Sequence, residues 1–171
     1  MMLKHLLLTL MFAICLLIVS CAYQFSGAGK MPLGITKISV SAFDNATSET
    51  GIEIMFANDL ITELGKDLRV TLSPKDQAEA VLKGYIRSMD AETISRKKSY
   101  ISLERRVTIV LDLKLTRVGG DVLWQMDGLR QSETYLVSND KIATEQNLRN
   151  AISKISKKTA EMAYQSLMAG F

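Results

Sequence analysis

The chain has 171 residues, of which 21 are Lys or Arg, 18 are Asp or Glu and one is His. A formal charge of +3 gives neither the strong field of a general nucleic-acid binder nor an acidic tail, so any anion site must be local. Two cysteines and one histidine leave little material for thiol or imidazole chemistry, and their positions remove most of that.

Residues 1–20 have the three parts of an exported leader: a short basic start (Lys4, His5), an apolar run from Leu6 to Val19, and small Ser20 before Cys21. The run is shorter than the roughly 20 residues that cross a hydrocarbon core as a helix, and no later stretch approaches that length. Leu17-Ile18-Val19-Ser20-Cys21 resembles the bacterial lipobox, in which the cysteine sulfur takes up a diacylglycerol before cleavage and the freed amine is then acylated. Residues 1–20 are therefore expected to be removed as a lipoprotein signal peptide, leaving lipid on Cys21. Each buried methylene contributes about 0.8 kcal/mol, so two or three acyl chains hold a protein where one binds reversibly. Cys15 and His5 leave with the leader, so no disulfide, imidazole base or thiol metal site is expected afterwards. The covalent lipid on Cys21 is the one non-protein group expected, with no other cofactor and no metal.

About 150 residues remain, enough for a single domain with a real core. Residues 21–34 are small, glycine-containing and interrupted by Pro32, which suits a tether, and residues 35–171 form the expected domain. Ile35 to Phe43 reads as a strand, with Ile38, Val40 and Ala42 alternating against Lys37, Ser39 and Ser41. Asn45-Ala46-Thr47 reads as a turn. Thr50 and Glu53 have capping-box spacing, and the stripe Ile52, Phe56, Leu60, Leu64 and Leu68 predicts a helix. Arg69 to Ser73 suits a short strand closed by Pro74. Ala80 to about Ser95 suits another, with Gly84 as a bulge or close-packing point.

The clearest strand runs from about Arg106 to Val118, its apolar face being Val107, Ile109, Leu111, Leu113 and Leu115. Gly119-Gly120-Asp121 supplies a tight hairpin, and Val122, Trp124 and Met126 resume the alternation on the return strand. Beyond Ser138-Asn139-Asp140, Leu148, Ile152, Ile155, Met162 and Leu167 mark a long amphipathic helix. The order implies an α+β two-layer domain: two amphipathic helices packed on one face of a mostly antiparallel or mixed sheet of about four strands.

Asp44, Asp112 and Asp127 stand apart from any acid/base pair, so a catalytic reading is poorly supported and no catalytic residue is assigned. No glycine-rich phosphate cradle occurs. Arg96-Lys97-Lys98 and, closely after, Arg105-Arg106 form a basic cluster assigned to the turn between two strands, with Tyr100, Ile101 and Leu103 interleaved. Guanidinium and ammonium groups among apolar side chains suit the phosphates and acyl chains of an amphiphile. Charges that merely blunt a strand end are the other reading of these residues.

Several segments together resemble the lipopolysaccharide-assembly lipoprotein family LptE. They are Cys21-Ala22-Tyr23-Gln24-Phe25, Ile38-Ser39-Val40, Phe43-Asp44-Asn45-Ala46-Thr47, Gly51-Ile52-Glu53, Ala78 to Gly84, Val122-Leu123-Trp124 and Ser132-Glu133-Thr134-Tyr135. The resemblance implies an α+β fold seated as plug and assembly partner within the large outer-membrane barrel LptD, with lipopolysaccharide as ligand and no enzymatic activity. It also implies a lipid-anchored position on the periplasmic side of the outer membrane. Ala22 replaces the aspartate that retains many lipoproteins at the inner membrane. Arg96, Lys97, Lys98, Arg105 and Arg106 are the candidate lipopolysaccharide contacts by chemistry, with Lys30 and Arg130 weaker. The competing expectation is another envelope lipoprotein, accessory to a secretion or cell-wall complex, that binds no lipopolysaccharide.

Overall fold

The computed structural model describes residues 34–95 and 103–169. Its elements run β1 (Lys37–Val40), β2 (Asp44–Asn45), α1 (Ile52–Leu64), β3 (Thr71–Leu72), β4 (Ala80–Ser95), β5 (Leu103–Arg117), β6 (Val122–Val137) and α2 (Lys141–Ala169). The strands form one sheet in the order β3-β1-β4-β5-β6, with β2 also against β4. Pairings of β1 with β3 and β4, and of β2 with β4, are parallel, whereas β4, β5 and β6 are antiparallel neighbours.

The sheet therefore has six strands, not about four. β3 lies within the short strand expected from Arg69 to Ser73, whereas β2, at two residues, is too short for side-chain alternation to reveal. The expected strand Ile35 to Phe43 is split, because the chain leaves β1 after Val40, buries Phe43 and resumes as β2. Phe43 needs room that only glycine leaves: a Cβ at Gly84 would lie 2.3 Å from the Phe43 ring. Gly84 is thus a close-packing point, and the irregularities in β4 fall between Ile86 and Ser88 and between Thr93 and Ser95 instead.

Period-two alternation fixes which face is covered. Val107, Ile109, Leu111, Leu113 and Leu115 of β5 are all buried on the helix side, in one cluster with Phe56, Leu64, Trp124 and Ile152. Both helices pack on that side, α1 against β1 and β2, α2 against β5 and β6. Small residues on α2, among them Ala151, Ser156, Ala160 and Ala163, are buried, and Ser156 Oγ lies 2.6 Å from an Asp59 carboxylate oxygen on α1.

Helix ends differ from the spacing-based expectation. Gly51, at φ 88°, is the N-cap of α1, and Glu53 reaches back to accept its N–H at 3.0 Å, while Thr50 makes no side-chain cap. Asn45 Oδ1 accepts the Thr47 N–H at 2.9 Å, which is the expected turn. The helix stops at Leu64, so Leu68 is not part of the core stripe but 101 % exposed. What replaces the lost turn is a polar tie. Asp67, its side chain 7 % exposed, accepts from Arg69 Nη2 at 2.7 Å and from the Tyr164 hydroxyl at 2.9 Å, joining the loop after α1 to α2. The hydrogen-bonded Arg69 guanidinium holds the Asp67 carboxyl down at about 2.

Asp112 works in the same way across the open face. Its carboxylate takes the Arg87 Nε–H and, at 2.7 Å, the N–H of Gly128, whose φ is 63°. One side chain so links the first irregular point of β4 to the bulge where β6 slips against β5.

Candidate functional site

The antiparallel pairing brings the ends of four elements together at one extremity of the sheet. Ser95 pairs with Glu104 and Leu103 pairs with Val137, and α2 begins four residues later, at Lys141. Residues 96–102 join β4 to β5 here. The candidates Arg96, Lys97 and Lys98 belong to that segment and lie outside the described residues, as do Lys30 and the lipid-attachment candidate Cys21.

Arg105 and Arg106 are described, and they are not in the turn but within β5. Strand pairing extends further toward the turn than apolar alternation signalled, because the polar side chains of Glu104, Arg105 and Arg106 mask the pattern. Being consecutive in a strand, the two arginines point to opposite faces. Arg106, on the open face, has a side chain 46 % exposed and an Nη1 that lies 3.6 Å from Glu92. That geometry is a loose surface pair contributing about 0–1 kcal/mol. Arg105 shares the helix-side face with buried Tyr135, its cross-strand partner, and its Nε is buried without a hydrogen-bond partner among the described residues. A guanidinium in that state gains from any anion that reaches it. Arg130 also lies on the open face, opposite Val110, well back from this end.

Exposed apolar side chains stand at the same end of the sheet. Ile94 and Leu136 are exposed on the strands, and Ile142 at the start of α2 is 78 % exposed. The start of α2 is held firmly: Asp140 Oδ1 accepts the Ile142 N–H at 2.8 Å, and Thr144 Oγ1 accepts the Ser138 N–H at 3.0 Å. Lys141 adds a further cation at the same place.

Beside this end, α2 and the free edge of β6 enclose an open groove of about 490 Å3. Tyr135, Leu136, Asn147, Asn150 and Lys154 line it. Asn147 Nδ2 donates to the Leu136 carbonyl at 2.9 Å, and Lys154 Nζ meets Glu133 at 3.0 Å. Neither the groove nor Lys141 was identified from the sequence. Apolar periodicity becomes visible only at Leu148, and Asp140 as an N-cap was the signal for the two earlier turns.

Among the described residues, no group of three His, Cys, Asp or Glu side chains is placed to hold a metal ion, and no helix is long and apolar enough to cross a membrane. The arrangement of cations and apolar groups at one end can engage an anionic amphiphile.

No functionally curated protein matches the sequence. Solved structures do match in shape. Lipoprotein B from Nitrosomonas europaea has a TM-score of 0.53 at 13 % identity, covering 88 % of this chain and 90 % of its own. A minor lipoprotein from Acinetobacter baumannii gives 0.50 at 15 % identity, with 81 % and 94 % covered. A neuraminyllactose-binding hemagglutinin homolog from Helicobacter pylori gives 0.55 at 12 % identity, with 82 % and 89 % covered. At such identities these likenesses establish the fold alone. The family described as LptE, lipopolysaccharide-assembly, matches residues 35–167, nearly the whole described domain. The chain belongs to the LptE lipopolysaccharide-assembly family.

Proposed function

We propose that this protein is a lipid-anchored partner and plug of an LptD-type outer-membrane β-barrel, assisting the passage of lipopolysaccharide to the cell surface. The family match over residues 35–167 carries the reading. In this account residues 1–20 are the signal peptide, Cys21 bears the lipid on the periplasmic side of the outer membrane, residues 21–34 are the tether and residues 35–171 the working domain. The family is a non-enzymatic one of envelope lipoproteins, and the domain contributes binding surface rather than catalysis.

The β4–β5 end supports the ligand assignment. Cations bind the lipid phosphates, and Ile94, Leu136 and Ile142 offer apolar surface to acyl chains. Arg105 is the stronger of the two strand arginines, because Arg106 already has Glu92 nearby and Arg105 Nε has no partner among the described residues. Arg96, Lys97 and Lys98 complete the cation set.

Lipopolysaccharide binding by the full chain, followed by fluorescence at rising salt, tests this. Replacing Arg96, Lys97 and Lys98 by alanine, or Arg105→Ala alone, weakens binding about tenfold at low salt, with the gap narrowing as salt screens the charges. Arg106→Ala changes it less. Binding that all these variants retain in full removes the β4–β5 end from the ligand site.

A further inference from the structure

We infer that the groove between α2 and the free edge of β6 binds the sugar portion of a glycolipid, separately from the cations that meet its phosphates. This rests on the lipopolysaccharide reading and assigns the groove a part of the same ligand.

The lining identifies the ligand class. Asn147 and Asn150 are amides, each with donors and an acceptor in one planar group, Asn150 Oδ1 also accepting from Gln146 Nε2 at 3.0 Å. Lys154, paired with Glu133, and Glu104 add an ammonium and a carboxylate. Leu136 and Ala151 supply apolar surface between them. Polar groups of both senses around a small apolar floor match sugar rings, which carry hydroxyls that donate and accept on a C–H framework. A volume of about 490 Å3 falls in the range of small-molecule sites and has room for more than one ring.

The same geometry argues against a protein strand adding to the β6 edge at this point. Strand addition needs the outward carbonyls of the edge, and Asn147 Nδ2 already occupies that of Leu136 at 2.9 Å. That bond also fixes the Asn147 amide on the groove wall, so its orientation is set before any ligand arrives. Arg105 sits across from Tyr135, which lines the groove, so a sugar held here would bring an attached phosphate toward the cationic end.

The experiment titrates the full chain, purified in detergent, with the oligosaccharide freed from rough-type lipopolysaccharide by mild acid, and reads heat or backbone amide shifts. Wild type binds it, with shifts on Tyr135, Leu136, Asn147 and Asn150. The double variant Asn150→Ala with Lys154→Ala loses about tenfold in affinity, as expected for the loss of two exposed polar contacts, while Lys114→Ala on the open face does not. Asn150→Ala alone stands in if the double variant fails to fold, with a smaller loss expected. No oligosaccharide binding by wild type, or unchanged binding by the folded variant, overturns the inference. Intact lipopolysaccharide titrated in parallel separates the two claims. If it binds while the oligosaccharide does not, only the groove assignment falls; if neither binds, the ligand reading falls too.

Discussion

At the scale of single residues, polar side chains and one glycine decide the local geometry more than the apolar stripes do. Gly84 is there because Phe43 occupies the space of a Cβ, which would lie 2.3 Å from the ring. Gly84→Ala forces the ring or the strand to move and costs about 1–3 kcal/mol, seen as a lower urea midpoint. A companion Phe43→Leu recovers part of the loss, and an unaffected midpoint for Gly84→Ala alone contradicts the packing account. Asp67 gives a pH signature. Its folded carboxyl is held at about 2 by Arg69, below its ordinary 3.8, so its contribution is fully present above pH 3.8 and is lost as pH falls through about 2. Asp67→Asn therefore lowers stability by about 1–3 kcal/mol at neutral pH, and the gap from wild type closes between pH 4 and 2 in acid-unfolding curves. A gap independent of pH would mean that Asp67 acts by shape alone. Neither role was fully legible beforehand: Gly84 was marked as a point of interest, whereas Asp67 lay inside a stretch read as helix.

At the scale of elements, length determined what could be read in advance. β5 and β6, at 15 and 16 residues, alternate over enough positions to show the pattern, and the Gly119-Gly120 hairpin joins them as expected, with φ of 134° and 109°. β3 fell within the short strand read at Arg69 to Ser73, whereas β2, two residues in a stretch read as a turn, is defined by pairing to β4, which no local pattern encodes. Leu68 extended the helical stripe on paper, yet the backbone turns at Gly65, whose N–H closes onto Ile61. The same limit hid the bulges. Asp112 read as an isolated acid, but it bridges Arg87 and Gly128 across three strands. Asp112→Ala costs about 1–2 kcal/mol in chemical denaturation, and Asp112→Asn, which keeps an acceptor for the Gly128 N–H, costs less. Equal losses for the two would assign the role to charge rather than to the bulge bond.

For the whole molecule, the fold separates a helix-covered face from an open one and gathers cations and exposed apolar groups where β4 and β6 end and β5 and α2 begin. The sequence assigned the basic residues from Arg96 to Arg106 to one turn, but Arg105 and Arg106 lie within β5, and Arg96, Lys97 and Lys98 lie outside the described residues. The division of the two strand arginines between faces was not legible, because the strand register, and not composition, sends Arg105 inward and Arg106 outward. The groove escaped notice for a similar reason: Asn147 and Asn150 become neighbours of Tyr135 and Leu136 only when α2 folds back over the sheet. The chain belongs to the LptE lipopolysaccharide-assembly family, and the proposed barrel partner is open to direct trial. The decisive measurement is affinity capture of the protein from the native envelope after mild detergent extraction, with the eluate examined for proteins and lipopolysaccharide. Co-elution of a large outer-membrane β-barrel and lipopolysaccharide is the predicted result. Recovery of a secretion or cell-wall complex with neither of these would contradict it.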